Sequence, residues 1–276
     1  PEAGSDLGTD PENLGAFAGP AHMLSQALGL QGAAYVLDAA CASSLYALHL
    51  ACQELRSGAA DAVLTGGMSR PDALYTQVGF SQLTALSRQG RCAPFDQSAD
   101  GLLVGEGAAF FVLKRHADAL RDGDAIHGII RGIGLSNDVA GSLLSPPSTG
   151  QVRAMRTAYA RAGWTTDAPD LIECHGTGTA RGDRVEVESL MELRPADASP
   201  CVIGSVKSNI GHLLTGAGAA GLMKVLLALK HETLPPTAHF QQGLDVIDGA
   251  RLRVLSQPEP WPVPSSGEPR RAALSG

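Results

Sequence analysis

Apolar and polar positions along this chain switch between two periods, and the switches mark its elements. Residues 33–37 form an apolar run between Gly32 and Asp38, which predicts a buried strand. From Ser43 the period changes: Leu45, Leu48, Cys52 and Leu55 recur at helical spacing and stop at Gly58, so a helix follows. A short helix is predicted over 21–28, a second buried strand over 62–67, and a strand over 108–113 too apolar to have a solvent face. Residues 91–107 form a long polar loop between them, and 126–135 read as another strand. Further helices are predicted over 116–121, 150–163 and 185–193, and further strands over 171–174, 201–206 and 271–274. Residues 216–231 predict a helix apolar on nearly all sides, hence buried, and 258–269 a Pro-rich loop. Strands alternating with helices, without a repeat or a low-complexity tract, define an α/β protein.

The composition narrows the function. A chain of 276 residues with 44% hydrophobic content makes one large or two coupled domains, and a net charge of −7 with no basic stripe argues against a nucleic-acid or anionic-membrane binder. No apolar run is long enough to span a membrane, and residues 1–20 lack the pattern of a signal peptide. The five Cys are odd in number and contain no C-x-x-C pair, so neither a disulfide framework nor a metal site is expected and a reducing cytoplasm fits. The polar, Gly- and Pro-rich start without Met suggests an internal fragment.

Three stretches carry candidate chemistry. Cys41 falls in the turn between a strand and a helix, where unpaired amides and the helix dipole favour a thiolate; a buried structural Cys is the alternative. His175-Gly176-Thr177-Gly178-Thr179 directly follows one strand, and Lys207-Ser208-Asn209-Ile210-Gly211-His212 follows another. Ligands of open α/β sheets bind at strand ends, and a Cys nucleophile with two His nearby is equipped for acyl transfer through a thioester. Gly216-Ala217-Gly218-Ala219-Ala220-Gly221 matches a dinucleotide fingerprint but lies about ten residues past its strand with no acidic partner strand, so it predicts close helix packing instead. Gly176-Thr177-Gly178 lacks the Lys of a phosphate loop.

The Cys41 stretch, the two His motifs and the Asp100-Gly101…Gly105-Glu106-Gly107 loop together resemble a β-ketoacyl synthase, the condensing domain of a fatty-acid or polyketide synthase, from about residue 19 to 276. Ala39, Ala42 and Cys174 depart mildly from the family pattern. The resemblance implies a thiolase-like α-β-α-β-α fold of two similar halves, each with a five-stranded sheet, here residues 1–125 and 126–276, truncated at both ends. It implies that Cys41 takes an acyl group from the phosphopantetheine of an acyl carrier protein, with no covalently bound cofactor. Malonyl-carrier then loses CO₂, and His175 and His212 donate to the thioester oxygen of the resulting enolate. The Cys41 N–H is one oxyanion donor; the other, with a gating Phe, is expected after Gly276, so this stretch alone is expected to be inactive. Lys207 and Glu186 match supporting positions, Glu186 being otherwise a surface helix carboxylate; Asn209, Thr177 and Thr179 are further supporting candidates. A homodimer pairing through residues 33–37 is implied, unless that run is simply an interior strand. A non-condensing chain-length module, a thiolase using coenzyme A and a papain-like protease remain rival readings; the Cys41 neighbourhood is not papain-like.

Overall fold

The computed structural model describes residues 19–70, 73–137, 147–264 and 267–276; the polar start at 1–18 lies outside the described residues. In order, the chain forms α1 Gly19–Ala27, α2 Ser43–Ser57, β1 Ala62–Ser69, α3 Ala73–Gln82, β2 Gly107–Lys114, α4 His116–Asp122 and α5 Ser148–Ala162. It continues through β3 Leu171–Glu173, α6 Ala180–Leu193, β4 Cys201–Gly204, α7 Lys207–Ile210, α8 Ala217–His231, β5 Thr233–Leu234, β6 Leu252–Val254, β7 Glu259–Pro260 and β8 Ala272–Leu274. The larger sheet is parallel in the order β6-β4-β3-β8, β1 and β2 form an antiparallel pair, and β5 pairs with β7.

Period-two patterning explains the parallel sheet. Ile172, Cys201 and Ile203 pack with Val187 and Leu190 of α6, while Leu171 and Val202 pack with Ala228 of α8. Both faces are covered, as a parallel sheet requires, and each fully buried Leu or Ile contributes on the order of 1.5–3 kcal/mol. Helix α8 is the middle layer: it packs on α2, β1 and β2 on one side and on β3, β5 and β8 on the other. The glycine run of 216–221 serves that packing. A Cβ on Gly218 would stand 2.7 Å from the Leu45 side chain, and one on Gly221 would stand 2.7 Å from that of Leu274.

Several expectations need correction. Residues 33–37 and 126–135 form no strand, because no ladder neighbour among the described residues hydrogen-bonds to them, and Tyr35 and Val36 are exposed. The second run instead lies along α5, where Gly132 and Gly134 sit against the carbonyls of Ala158 and Ala154. The described sheets accordingly hold four, two and two strands, and none holds the five expected of each half. The strand predicted over 108–113 has an open face after all, with Phe110 and Val112 exposed, and the 62–67 strand is only partly buried. Met223 and Leu227 of α8 are exposed too, since the helix is covered on its two sheet-facing sides but not between them. Helices α3 and α7 and strands β5, β6 and β7 are not predicted from the sequence, the last of these falling within the stretch 258–269 expected to be loop.

Candidate active site

Cys41 sits in a single 3₁₀ turn, Ala40–Ala42, that leads into α2. Short hydrogen bonds close this turn: Asp38 Oδ1 accepts the Ala40 N–H at 2.8 Å, and Ser43 Oγ accepts the Ala39 N–H at 2.8 Å while donating to the Ala40 carbonyl at 2.7 Å. Ala40 is thereby held at φ 51°, left-handed backbone that costs a non-glycine residue about 1–2 kcal/mol. The other end of α2 is closed by left-handed Gly58, whose N–H reaches the carbonyls of Glu54 and Leu55.

His212 follows Gly211, itself left-handed at φ 73°, and is positioned by the 91–107 loop. Its N–H donates to the Leu103 carbonyl at 2.7 Å and its carbonyl accepts the Gly105 N–H at 3.0 Å. Gly105 has to be glycine for this lacing, because a Cβ there would stand 2.1 Å from the Ile210 carbonyl oxygen. The ring of His212 places Nε2 3.1 Å from Cys41 Sγ, and Nδ1 accepts the Leu214 N–H at 3.1 Å. An Nδ1 that accepts carries no proton, so in the neutral ring the proton is on Nε2, facing the sulfur. His175, just past β3, meets His212 edge-on, ring centroids 5.3 Å apart.

Glu186 is buried rather than a surface carboxylate: its two oxygens accept the His175 N–H at 2.7 Å and the Gly176 N–H at 2.8 Å. Lys207, at the start of α7, is buried as well. Thr177 and Thr179 share a hydroxyl–hydroxyl hydrogen bond of 2.9 Å. Asn209 is exposed, its side-chain oxygen taking the Ser208 hydroxyl.

Electrostatics revise one expectation. Burial pushes the Cys41 thiol up; the nearby Lys207 ammonium and a backbone N–H oppose it without winning, so the turn does not by itself make a thiolate. Burial, then Lys207, lowers His212 to about 3, and burial, Lys207 and His212 hold His175 well below its ordinary value. Both imidazoles are therefore neutral near pH 7 and able to donate. Cys92 and Cys201 are pushed up to about 12 by burial, and Cys174 well above its ordinary range. Among the described residues no group of His, Cys, Asp and Glu could hold a metal ion.

Asp183 was missed. It lies one helical turn before Glu186 and accepts the N–H groups of Phe95, Thr177 and Gly178 at 2.9, 3.0 and 3.2 Å. Burial, reinforced by Glu186, raises it to about 7. Two acids three residues apart in the first turns of a helix that follows a glycine loop were the available signal.

The N-terminal domain model of β-ketoacyl synthases matches residues 9–119 and the C-terminal domain model matches 127–241. The chain belongs to the β-ketoacyl synthase family, and its fold is thiolase-like. It is 42% identical, over 98% of its length, to a phenolphthiocerol/phthiocerol polyketide synthase of Mycobacterium tuberculosis. It is 41% identical, again over 98% of its length, to a PKS-NRPS hybrid synthetase of Aspergillus niger. The ketosynthase from module 6 of the bacillaene synthase of Bacillus subtilis superposes with a TM-score of 0.87 at 38% identity, over 94% of this chain and 47% of that one. The chain spans only 18% and 15% of the length of the two synthases.

Proposed function

We propose that this chain is the condensing part of a polyketide synthase and performs a decarboxylative Claisen condensation. The observation that carries this reading is the contact of His212 Nε2 with Cys41 Sγ, with Nδ1 held by a backbone amide: a nucleophile beside a donor, not beside a base. The Cys41 sulfur attacks an acyl thioester on the phosphopantetheine of an acyl carrier protein; the carrier thiol leaves, and the thiol proton goes to it. Malonyl-carrier then loses CO₂, and the electron pair of the broken C–C bond forms an enolate. Neutral His175 and His212 donate to its oxygen, where charge develops. The enolate carbon attacks the acyl carbonyl, whose oxygen is stabilised by the Cys41 N–H, and the Cys41 thiolate leaves. The product is a β-ketoacyl thioester two carbons longer.

Lys207 supplies fixed positive charge beside the site, and Glu186 holds the backbone of the His175 turn. Thr177 and Thr179 supply hydroxyls on that turn. We read residues 1–125 and 126–276 as the two halves, the protein as a homodimer, and its compartment as the cytoplasm, which suits five unpaired thiols. A non-condensing chain-length module is the weaker reading, since it has no use for a Cys set against a neutral His that donates toward its sulfur. The test is to incubate the full-length protein with radiolabelled acyl-carrier and then malonyl-carrier. Acyl label on the Cys41 peptide followed by β-ketoacyl product is expected; acylation at Cys52, Cys92, Cys174 or Cys201 instead rejects the assignment.

A further inference from the structure

Glu173 is the last residue of β3, two positions before His175, and its side chain is 1% exposed. Its carboxylate does not face the reacting groups. One oxygen accepts the N–H of Val206 at 2.6 Å, immediately before Lys207; the other accepts Lys224 Nζ at 2.6 Å from α8. Its own carbonyl accepts the Ser275 N–H at 2.8 Å, just past β8. The glycine run of α8 makes room for this arrangement. A Cβ on Gly221 would stand 3.1 Å from Glu173 Cγ, and Gly221 and Lys224, three residues apart, lie on one helix face. Gly204, the register partner of Glu173 in β4, borders Lys224 Nζ at ordinary contact distance, and its missing Cβ makes room for Thr237 Oγ1, 2.6 Å from where it would stand.

We propose that Glu173 and Lys224 form a positioning pair that locks the end of β3 to the start of the Lys207 segment, fixing where His175 stands relative to Lys207 and His212. The inference rests on the functional reading above and adds a residue pair to it. A single carboxylate ties together both strand ends that deliver donors to the site, and it is anchored to the middle layer, whose shift would otherwise move them independently. Cys41 is carried by the turn before α2, which joins α8 elsewhere, where Ser44 Oγ accepts the Ala219 N–H at 3.0 Å, and it is not bonded to Glu173 or Lys224.

Removing one partner strands a buried charge, whereas replacing both does not. Glu173→Gln and the double variant Glu173→Gln/Lys224→Met are therefore compared in the full-length protein. Melting temperature, self-acylation, malonyl decarboxylation and carbethoxylation of His175 by diethyl pyrocarbonate, mapped by peptide mass, are measured for each. The single variant is expected to melt lower. The double variant is expected to recover most of the melting temperature and to self-acylate normally. Its decarboxylation should lose about tenfold or more in kcat at unchanged KM, and its His175 should label several-fold faster. Wild-type decarboxylation and wild-type His175 labelling in the double variant would overturn the proposal and leave a purely structural pair. If the unmodified protein does not decarboxylate malonyl-carrier, the functional reading fails, while the labelling rate still decides the positioning role. If the double variant does not fold, Glu173→Asp, whose shorter carboxylate cannot span both partners, decides by the same two readouts.

Discussion

The Nε2 atom of His212 lies 3.1 Å from the sulfur of Cys41, while its Nδ1 already accepts the Leu214 N–H. A ring so committed offers the sulfur a proton and cannot take one. In the proposed reaction, activation of the nucleophile and stabilisation of the enolate therefore fall to different groups.

The first expected outcome separates the two steps. His175→Ala or His212→Ala should slow malonyl decarboxylation by about 10²–10³, the range for losing one donor to a developing oxyanion. Self-acylation of Cys41 should fall far less. Single-turnover assays of both steps check this, and an equal drop in both would favour a Cys–His acid–base pair.

Alkylation of Cys41 by iodoacetamide should follow a thiol titrating above its ordinary value, since burial outweighs the opposing Lys207 charge and backbone N–H. Lys207→Met removes the positive charge and should move the inflection to still higher pH. A downward or absent shift in the rate–pH profile would mean that Lys207 does not act on the sulfur.

Asp183 gives a pH dependence of stability. Its folded value of about 7 lies above the value near 4 of an unfolded Asp, so between the two the native state holds a proton that the unfolded chain has released. This group therefore contributes stability at low pH that is lost as pH rises toward 7. Asp183→Asn, which must turn an N–H toward one of three backbone donors, should lose about 1–3 kcal/mol and part of that slope. Denaturant midpoints at pH 5 and pH 7.5 provide the measurement.

Gly105→Ala would press a methyl group into the Ile210 carbonyl and push the His212 segment away from Cys41. Overpacking of this kind destabilises by about 1–3 kcal/mol. Condensation should drop much more than alkylation of Cys41, because the α2 turn is not touched; comparison of the two rates tests the assignment.

The legible parts of the sequence were those whose signals are local. The α2 helix and its Gly58 stop, the β3 and β4 strands, and His175 just past β3 could all be read from spacing and flanking glycines, whereas His212 follows the short helix α7 rather than a strand end. The illegible parts depend on partners distant in sequence. Residues 33–37 have the apolar run of a strand, but a strand needs a neighbour to hydrogen-bond, and none among the described residues does so. Asp183 and Glu173 look like ordinary helix and strand acids until the amides of Phe95 and Val206 arrive from 88 and 33 residues away. The Cys41 thiol was misjudged because a helix terminus is visible in sequence and burial is not. The left-handed Ala40 gives no sequence signal at all, since alanine carries neither a glycine's freedom nor a side chain that reports the bend.

That turn has its own consequence. Its hydrogen bonds close between Asp38 and Ser43, within six residues, so the contortion at Ala40 is maintained by a self-contained brace. The two imidazoles hang from a different framework, laced through the 91–107 loop and the ends of β3 and β4. The two frameworks meet where the Cys41 turn packs on residues 214–216 and α8, but each is closed by its own hydrogen bonds, so in the proposed reaction loading and elongation are braced differently. If the chain performs the proposed reaction, substitutions at the second framework that spare its contact with the Cys41 turn change how fast chains are extended more than how readily acyl groups are accepted.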